Sequence, residues 1–169
     1  MIRWLRLLLV IISAVVLQTT LFTHLRIDGV GPDIGLVVTL AVAYEDGPEM
    51  GAWFGFIMGL AIDCFLTTPF GLSALSFALT GYAVGVFQSQ MVRSTHRVAP
   101  FVGFFGGLFG GLVFVTVGAL VGQAGFLSLE SLKTVVIAAV YDALIAIPLF
   151  PLVRWAARQP DHHQWRVRR

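Results

Sequence analysis

Three long stretches of this chain contain no Asp, Glu, Lys or Arg. They cover residues 7–25, 64–92 and 98–129. Each is at least as long as the run of about 18 apolar residues that lets one helix cross a bilayer. A chain with so few interruptions would expose a large apolar surface in water, which excludes a soluble enzyme. The sequence therefore predicts an integral membrane protein.

Composition limits what else the chain can contain. Charged residues make up 12% of its 169 residues, whereas an ordinary globular domain has roughly 25%. Hydrophobic segments and short connections occupy nearly the whole length, so residues 1–158 are predicted to form one membrane domain and residues 159–169 a basic cytoplasmic tail. The single cysteine, Cys64, excludes an internal disulfide and a metal site built from cysteines.

The hydrophobic segments predict an all-α bundle of six transmembrane helices. Their approximate bounds are 4–22, 32–44, 49–66, 70–88, 100–122 and 132–155. The second and third are short for a hydrocarbon core of about 30 Å at about 1.5 Å per residue, so they are extended back to Pro32 and forward to Leu66. A re-entrant hairpin formed by these two segments is the competing interpretation. In the last span, Pro148 and Pro151 each lack a backbone donor and are expected to kink the helix.

The distribution of basic residues predicts the orientation of the chain in the membrane. With both termini in the cytoplasm, Arg26 and Lys133 are the basic residues that would lie outside. Those on the cytoplasmic side would be Arg3, Arg6, Arg93, Arg97, Arg154, Arg158, Arg166, Arg168 and Arg169. Because cytoplasmic loops carry an excess of Lys and Arg, this asymmetry favours cytoplasmic N and C termini. The tail is also predicted to anchor at anionic lipid headgroups, through Trp165, Arg166, Arg168 and Arg169.

Glycines recur every fourth residue along the third predicted span. Gly51, Gly55 and Gly59 share one helical face with Asp63. A face without side chains lets another helix backbone approach closely, which favours helix association in lipid. We expect this face either to pack the bundle internally or to receive the helix of a partner protein. The fifth predicted span has the same feature at Gly103, Gly106, Gly107, Gly110 and Gly111.

Three polar residues are predicted to lie inside the membrane. Asp142 is near the middle of the sixth span, Asp63 is near the outer end of the third, and Gln18 is late in the first. Intramembrane carboxylates are candidates for functional sites, while a structural role is open for each. Since no Lys or Arg lies inside the membrane beside them, each acid is predicted to be protonated or bonded to hydroxyl, amide or backbone groups. Asp63 is also placed to cap the turn at Thr67 and Thr68.

No combination of residues in the sequence predicts catalysis. The histidines are divided among a predicted interface, a loop and the tail, without the spacing of metal ligands on shared helices. Neither a phosphate-binding loop nor a nucleophile motif is present. We therefore expect no enzyme activity, no cofactor or metal, and no nucleic-acid partner. A proton path through Asp63 and Asp142 is a weaker alternative, because the two carboxylates differ in predicted depth.

Part of the sequence resembles a known family. The residues that carry the resemblance are Gln18, Pro32-Asp33 and the pattern Gly51-x3-Gly55-Phe56-x2-Gly59-Leu60-x2-Asp63-x7-Gly71-x2-Ala74-Leu75. Over roughly residues 18–85 the chain is similar to the rod shape-determining membrane protein MreD. The resemblance implies a non-enzymatic scaffold of the bacterial cell-elongation (rod) complex, located as a multi-pass protein in the cytoplasmic (inner) membrane.

The same resemblance implies partners and a fold. Members of the family bind MreC and, directly or through MreC, the actin-like MreB filament and the peptidoglycan synthases, and so help to maintain rod cell shape. The family is similar in fold to the six-helix substrate-binding subunits of energy-coupling-factor vitamin transporters. A substrate-binding subunit of a small-molecule transporter is therefore the alternative function. A homo-oligomer is also compatible with the glycine faces.

Overall fold

The structure is a computed structural model that describes residues 2–20, 30–65, 69–88, 95–122 and 128–157. Within these ranges the chain forms six α-helices. They are α1 (Ile2–Thr20), α2 (Ile34–Asp46), α3 (Pro48–Asp63), α4 (Leu72–Gln88), α5 (Thr95–Leu120) and α6 (Leu129–Ala157). Each helix overlaps one of the predicted hydrophobic segments, although the ends differ. The predicted all-helical fold is confirmed.

Helix α2 is the centre of the bundle. Every residue from Ile34 to Tyr44 is buried, and α2 contacts each of the other five helices. Small residues such as Gly35, Ala41 and Ala43 allow these neighbours to approach closely. The position of α2 therefore determines how the remaining helices are arranged around it.

Helix α2 is also shorter than a full membrane crossing. Its 13 residues are about 20 Å long at about 1.5 Å per residue, against a hydrocarbon core of about 30 Å. The helix begins at Ile34, because the carboxylate of Asp33 accepts a hydrogen bond from the amide of Leu36 and caps the first turn. Pro32, to which the predicted span was extended, thus lies before the helix rather than in its first turn.

Short connections join α2, α3 and α4. Gly47 has a φ of 92° and links α2 to α3, where Pro48 takes a first helical position that suits its fixed φ. Helix α3 ends at Asp63, earlier than the predicted span, whose last residue Leu66 lies outside the described residues. Gly71 has a φ of 96° and precedes α4. Both connections need glycine, because other residues rarely adopt a positive φ.

Helices α5 and α6 are the longest of the described helices, with 26 and 29 residues. Helix α5 begins at Thr95, before the predicted start of the fifth span at residue 100, so Pro100 lies inside the helix. Helix α6 includes both Pro148 and Pro151, where kinks were expected, and continues as one helix from Leu129 to Ala157. Each of these two helices contains a segment long and apolar enough to cross a membrane, and α1 and α4 contain shorter apolar segments.

Candidate functional site

Side chains from three different elements hold the N-terminus of α2. The backbone amide of Asp33 donates to Oδ1 of Asp142 in α6 at 2.9 Å. The next amide, that of Ile34, donates to Oε1 of Gln18 in α1 at 2.8 Å. The amide of Leu36 donates to Oδ1 of Asp33 at 3.1 Å. Amides at a helix start have no acceptor within their own helix, so α1 and α6 supply acceptors that the central helix lacks.

The side-chain amide of Gln18 connects α1 to α2 through both of its polar atoms. While Oε1 accepts from Ile34, Nε2 donates to the carbonyl oxygen of Pro32 at 3.4 Å. An amide provides a donor and an acceptor together, which an ionised carboxylate does not. The polar group predicted near the end of the first span therefore faces the start of the central helix.

The carboxyl group of Asp142 is buried against α2 on one side and α5 on the other, with 1% of the residue exposed. A β-carbon built at Gly107 of α5 would lie 2.7 Å from Oδ2 of Asp142, and one at Gly103 would lie 2.8 Å from its backbone oxygen. The glycine stripe of α5 thus makes room for the residue that caps α2. The sequence contained both features, but nothing in it indicated that they meet.

Asp63 has the same role at the start of α4. Its Oδ2 accepts hydrogen bonds from the amides of Gly71 at 2.8 Å and Ala74 at 3.3 Å. Its Oδ1 accepts from the amide of Ser73 at 3.2 Å. Asp63 is buried, with 3% of its surface exposed. Both oxygens of this carboxyl group are therefore used to cap the helix that follows.

Of the alternatives predicted for Asp63 and Asp142, which were protonation or bonding to hydroxyl, amide or backbone groups, the structure shows backbone hydrogen bonds for both. Thr67 and Thr68, whose turn Asp63 was expected to cap, lie outside the described residues. The two carboxyl groups hold two separate helix starts, so the hydrogen bonds of the described residues do not connect them to each other.

The glycine face of α3, formed by Gly51, Gly55 and Gly59, packs against α4 of the same chain. A β-carbon at Gly55 would lie 2.5 Å from the carbonyl oxygen of Phe77, and one at Gly59 would overlap the backbone of Ala74. These neighbours are backbone atoms, which cannot turn aside as the end of a flexible side chain can. The structure therefore fills this face with the chain's own helices, and its use by a partner's helix stays a prediction.

The contact between α3 and α4 accounts for the sequence pattern that suggested a family. Gly59 lies against Ala74, and Asp63 accepts hydrogen bonds from the amides of Gly71 and Ala74. Gly71 also has the positive φ that lets the chain turn back into α4. The four residues thus describe one structure, a tight helical hairpin in which the end of the first helix caps the second.

The other end of α2 carries charged and aromatic contacts. Nε of Arg154 lies 3.8 Å from Oε1 of Glu45. The guanidinium carbon of Arg6 lies 5.3 Å from the ring centroid of Trp155. These contacts join the start of α1, the end of α2 and the end of α6. The first and the last described helices therefore begin and end at the same side of the bundle.

Two grooves open between neighbouring helices at the surface of the described bundle. One lies between α4 and α5, has a volume of about 350 Å³, and includes the aromatic rings of Phe87, Phe101, Phe105 and Phe109. The other lies between α1 and α6 and has a volume of about 260 Å³. Apolar side chains form most of the lining of both. Neither groove contains Asp63, Asp142 or Gln18, which are the polar residues singled out in the sequence.

The remaining predicted sites concern metals and the tail. Among the described residues no group of three or more His, Cys, Asp or Glu is arranged to hold a metal ion. The residues predicted to anchor the tail lie outside the described ranges, and they are Trp165, Arg166, Arg168 and Arg169. The side chains of Gln18, Asp63 and Asp142 each accept a hydrogen bond from a backbone amide at or just before a helix start.

The described structure is all-helical, with a buried central helix, buried carboxyl groups that cap helices, and two helices long and apolar enough to cross a membrane, as the helices of membrane proteins are. Residues 1–159 match the model of a family described as rod shape-determining protein MreD. The chain belongs to the MreD family, as the resemblance over residues 18–85 predicted. Neither a curated protein nor a solved structure matches the chain. Membership gives the chain a role in rod-shape determination and places it in a structural family rather than a known enzyme family.

Proposed function

We propose that the chain is a non-enzymatic membrane scaffold of the bacterial cell-elongation complex. It binds MreC and, directly or through MreC, MreB and the peptidoglycan synthases, and thereby positions peptidoglycan synthesis so that the cell remains a rod. The observation that carries this proposal is the family match over residues 1–159. The resemblance to the family, rather than any contact in the structure, supplies the names of the partners.

The use of polar side chains in the fold supports a scaffold. The side chains of Gln18 and Asp33, which are half-buried, and of Asp63 and Asp142, which are buried, accept hydrogen bonds from backbone amides at helix starts. A scaffold needs helices held in fixed relative positions, and caps supplied by distant elements provide this. The glycine face of α3 contributes in the same way, because it holds α3 closely against α4. The outer surfaces of both helices are then presented in one arrangement.

The proposed location is the bacterial inner membrane, with several crossings and both termini in the cytoplasm. The support is that α1 begins and α6 ends at one side of the bundle, where Arg6 and Arg154 also lie. An excess of basic residues is the mark of cytoplasmic segments. In this orientation the N-terminus of α2, held by Asp142, lies well inside the membrane rather than at its outer surface.

The experiment that tests the proposal is affinity purification of the tagged chain from native membranes, with the partners identified by mass spectrometry. The proposal predicts MreC in the eluate, together with components of the elongation complex. A control purification uses an unrelated tagged membrane protein expressed at the same level. Recovery of an ATPase module and a bound vitamin in place of MreC would contradict the proposal and support the transporter alternative. A complex mass equal to several copies of the chain would indicate a homo-oligomer.

A further inference from the structure

The groove between α1 and α6 has an apolar body and a cation at one end. Its lining residues are Arg6, Leu9, Val10, Ser13, Ala14, Leu17, Ile34, Val38, Leu149, Leu152, Val153, Trp155 and Ala156. Buried side chains such as Ala14, Val38 and Val153 form its floor, and exposed ones such as Leu9 and Leu152 form its walls. All lining residues except Arg6 and Ser13 are apolar. The groove therefore suits a ligand that is apolar along most of its length and anionic at one end.

Arg6 is positioned to bind an anion. Its guanidinium group lies over the ring of Trp155, at 5.3 Å from the centroid. A guanidinium held over an aromatic ring by its positive charge still has N–H groups that can donate to a phosphate. Arg154, by contrast, forms an ion pair with Glu45, whereas no carboxylate among the described residues forms one with Arg6. Arg6 thus provides a positive charge that is held in place and that no carboxylate of the described residues pairs with.

The length of the groove agrees with one acyl chain. Along α1 the lining residues extend from Arg6 to Leu17, which is about 16 Å at about 1.5 Å per residue. Half of a hydrocarbon core of about 30 Å is about 15 Å. A ligand with its anionic group at Arg6 would therefore have its apolar chain beside the groove as far as the middle of the membrane. Trp155, 63% exposed, lies at the charged end, where interfacial tryptophans are commonly found.

We infer that this groove binds an anionic phospholipid of the cytoplasmic leaflet, with the lipid phosphate on Arg6 and one acyl chain between α1 and α6. The inference rests on the orientation proposed above, with the N-terminus in the cytoplasm. It does not depend on MreC, so its failure and the failure of the proposed scaffold function are distinguishable. A partner's transmembrane helix would be the competing occupant, but a helix has no need of the cation at the end of the groove.

The test measures lipid retained by the purified chain in native mass spectrometry, after exchange into micelles that contain phosphatidylglycerol or phosphatidylcholine with identical acyl chains. The wild-type chain should retain phosphatidylglycerol in preference to phosphatidylcholine. Arg6→Gln should reduce the retained phosphatidylglycerol about tenfold, because it removes a charge-assisted hydrogen bond. Ser13→Phe adds a ring inside the groove without a change of charge and should reduce retention of both lipids. Thermal unfolding in detergent verifies that each variant is folded.

Arg154→Gln is the matched control for Arg6→Gln. It removes the same charge at the same end of the bundle, but Arg154 pairs with Glu45 and does not line the groove. Retention of phosphatidylglycerol by Arg154→Gln at the wild-type level would support the inference. Equal losses of phosphatidylglycerol in the two arginine variants would overturn the inference and indicate that the lipid binds through the overall positive charge of this surface. Unchanged lipid retention in Ser13→Phe together with loss of a co-purifying membrane protein would overturn it in favour of a partner's helix.

Discussion

At the scale of single residues, each buried Asp should tolerate substitution according to how many of its carboxyl oxygens accept hydrogen bonds. Asp142 accepts one described hydrogen bond, from the amide of Asp33 to Oδ1. Asn keeps a carbonyl oxygen of the same size at that position, whereas Leu removes the acceptor. We expect Asp142→Asn to unfold at nearly the wild-type temperature in detergent. Asp142→Leu should lose about 1–3 kcal/mol of stability, because a buried amide is left without its partner.

The two substitutions also distinguish a helix-capping role of Asp142 from a role in a proton path. A carboxyl group that carries protons loses its function in Asp142→Asn, while a cap retains it. Equal destabilisation of the Asn and Leu variants would contradict the cap, because it would mean that the carbonyl oxygen contributes nothing. Measurement of rod shape in cells that carry only Asp142→Asn extends the same comparison to function, and we expect rods.

Asp63 should be less tolerant of the same change. Both of its oxygens accept, from Gly71 and Ala74 on one side and from Ser73 on the other. In Asp63→Asn, one oxygen becomes an NH₂ group, which faces an amide N–H with no acceptor between them. We therefore expect Asp63→Asn to lose about 1–3 kcal/mol. The measurement is the difference in thermal unfolding between this variant and Asp142→Asn, and a greater loss in Asp142→Asn would show the assignment of the two caps to be wrong.

At the scale of the helices, the glycine contact between α3 and α4 should be the contact most sensitive to substitution by a larger residue. Gly55→Leu places a side chain where a β-carbon alone would lie 2.5 Å from the carbonyl oxygen of Phe77. The helices must separate, which removes the close packing that associates helices in lipid. We expect Gly55→Leu to fail in folding or to lose co-purification with MreC.

The matched control is Ala52→Leu, on the same helix at a half-buried position. It adds a leucine of the same size at a position that is half-buried rather than buried. We expect normal yield and normal recovery of MreC from this variant. The same yield, MreC recovery and rod shape in Gly55→Leu as in the control would show that the glycine face has no role in either packing or assembly.

The features of helices that the sequence predicted are those encoded by nearby residues. The lengths of the apolar runs and the four-residue spacing of Gly51, Gly55 and Gly59 are local features. They correctly indicated the helices and a close contact between helices. The cap of α2 joins Asp33 to Asp142, which are far apart in sequence, so no local pattern contains it. The sequence does carry one local signal, because Asp33 stands directly before the apolar run that begins at Ile34 and an Asp in that place is a common N-cap.

At the scale of the whole molecule, orientation in the membrane can be tested directly. In a Cys64→Ser background, single cysteines replace Glu49, in the first turn of α3, or Lys133, near the start of α6. Both positions are exposed in the bundle. We expect a membrane-impermeant thiol reagent to label Lys133→Cys in intact spheroplasts and Glu49→Cys only after permeabilisation. Labelling of both positions from the same side would contradict the proposed orientation.

The central claim is that this chain is a scaffold on which rod shape depends, and cell shape measures it most directly. The native gene is placed under a repressible promoter, and the length-to-width ratio of the cells is followed during depletion. We predict a fall of that ratio towards a sphere, rescue by the wild-type chain and by Ala52→Leu, and no rescue by Gly55→Leu. Cells that remain rods after the protein has disappeared would contradict the claim.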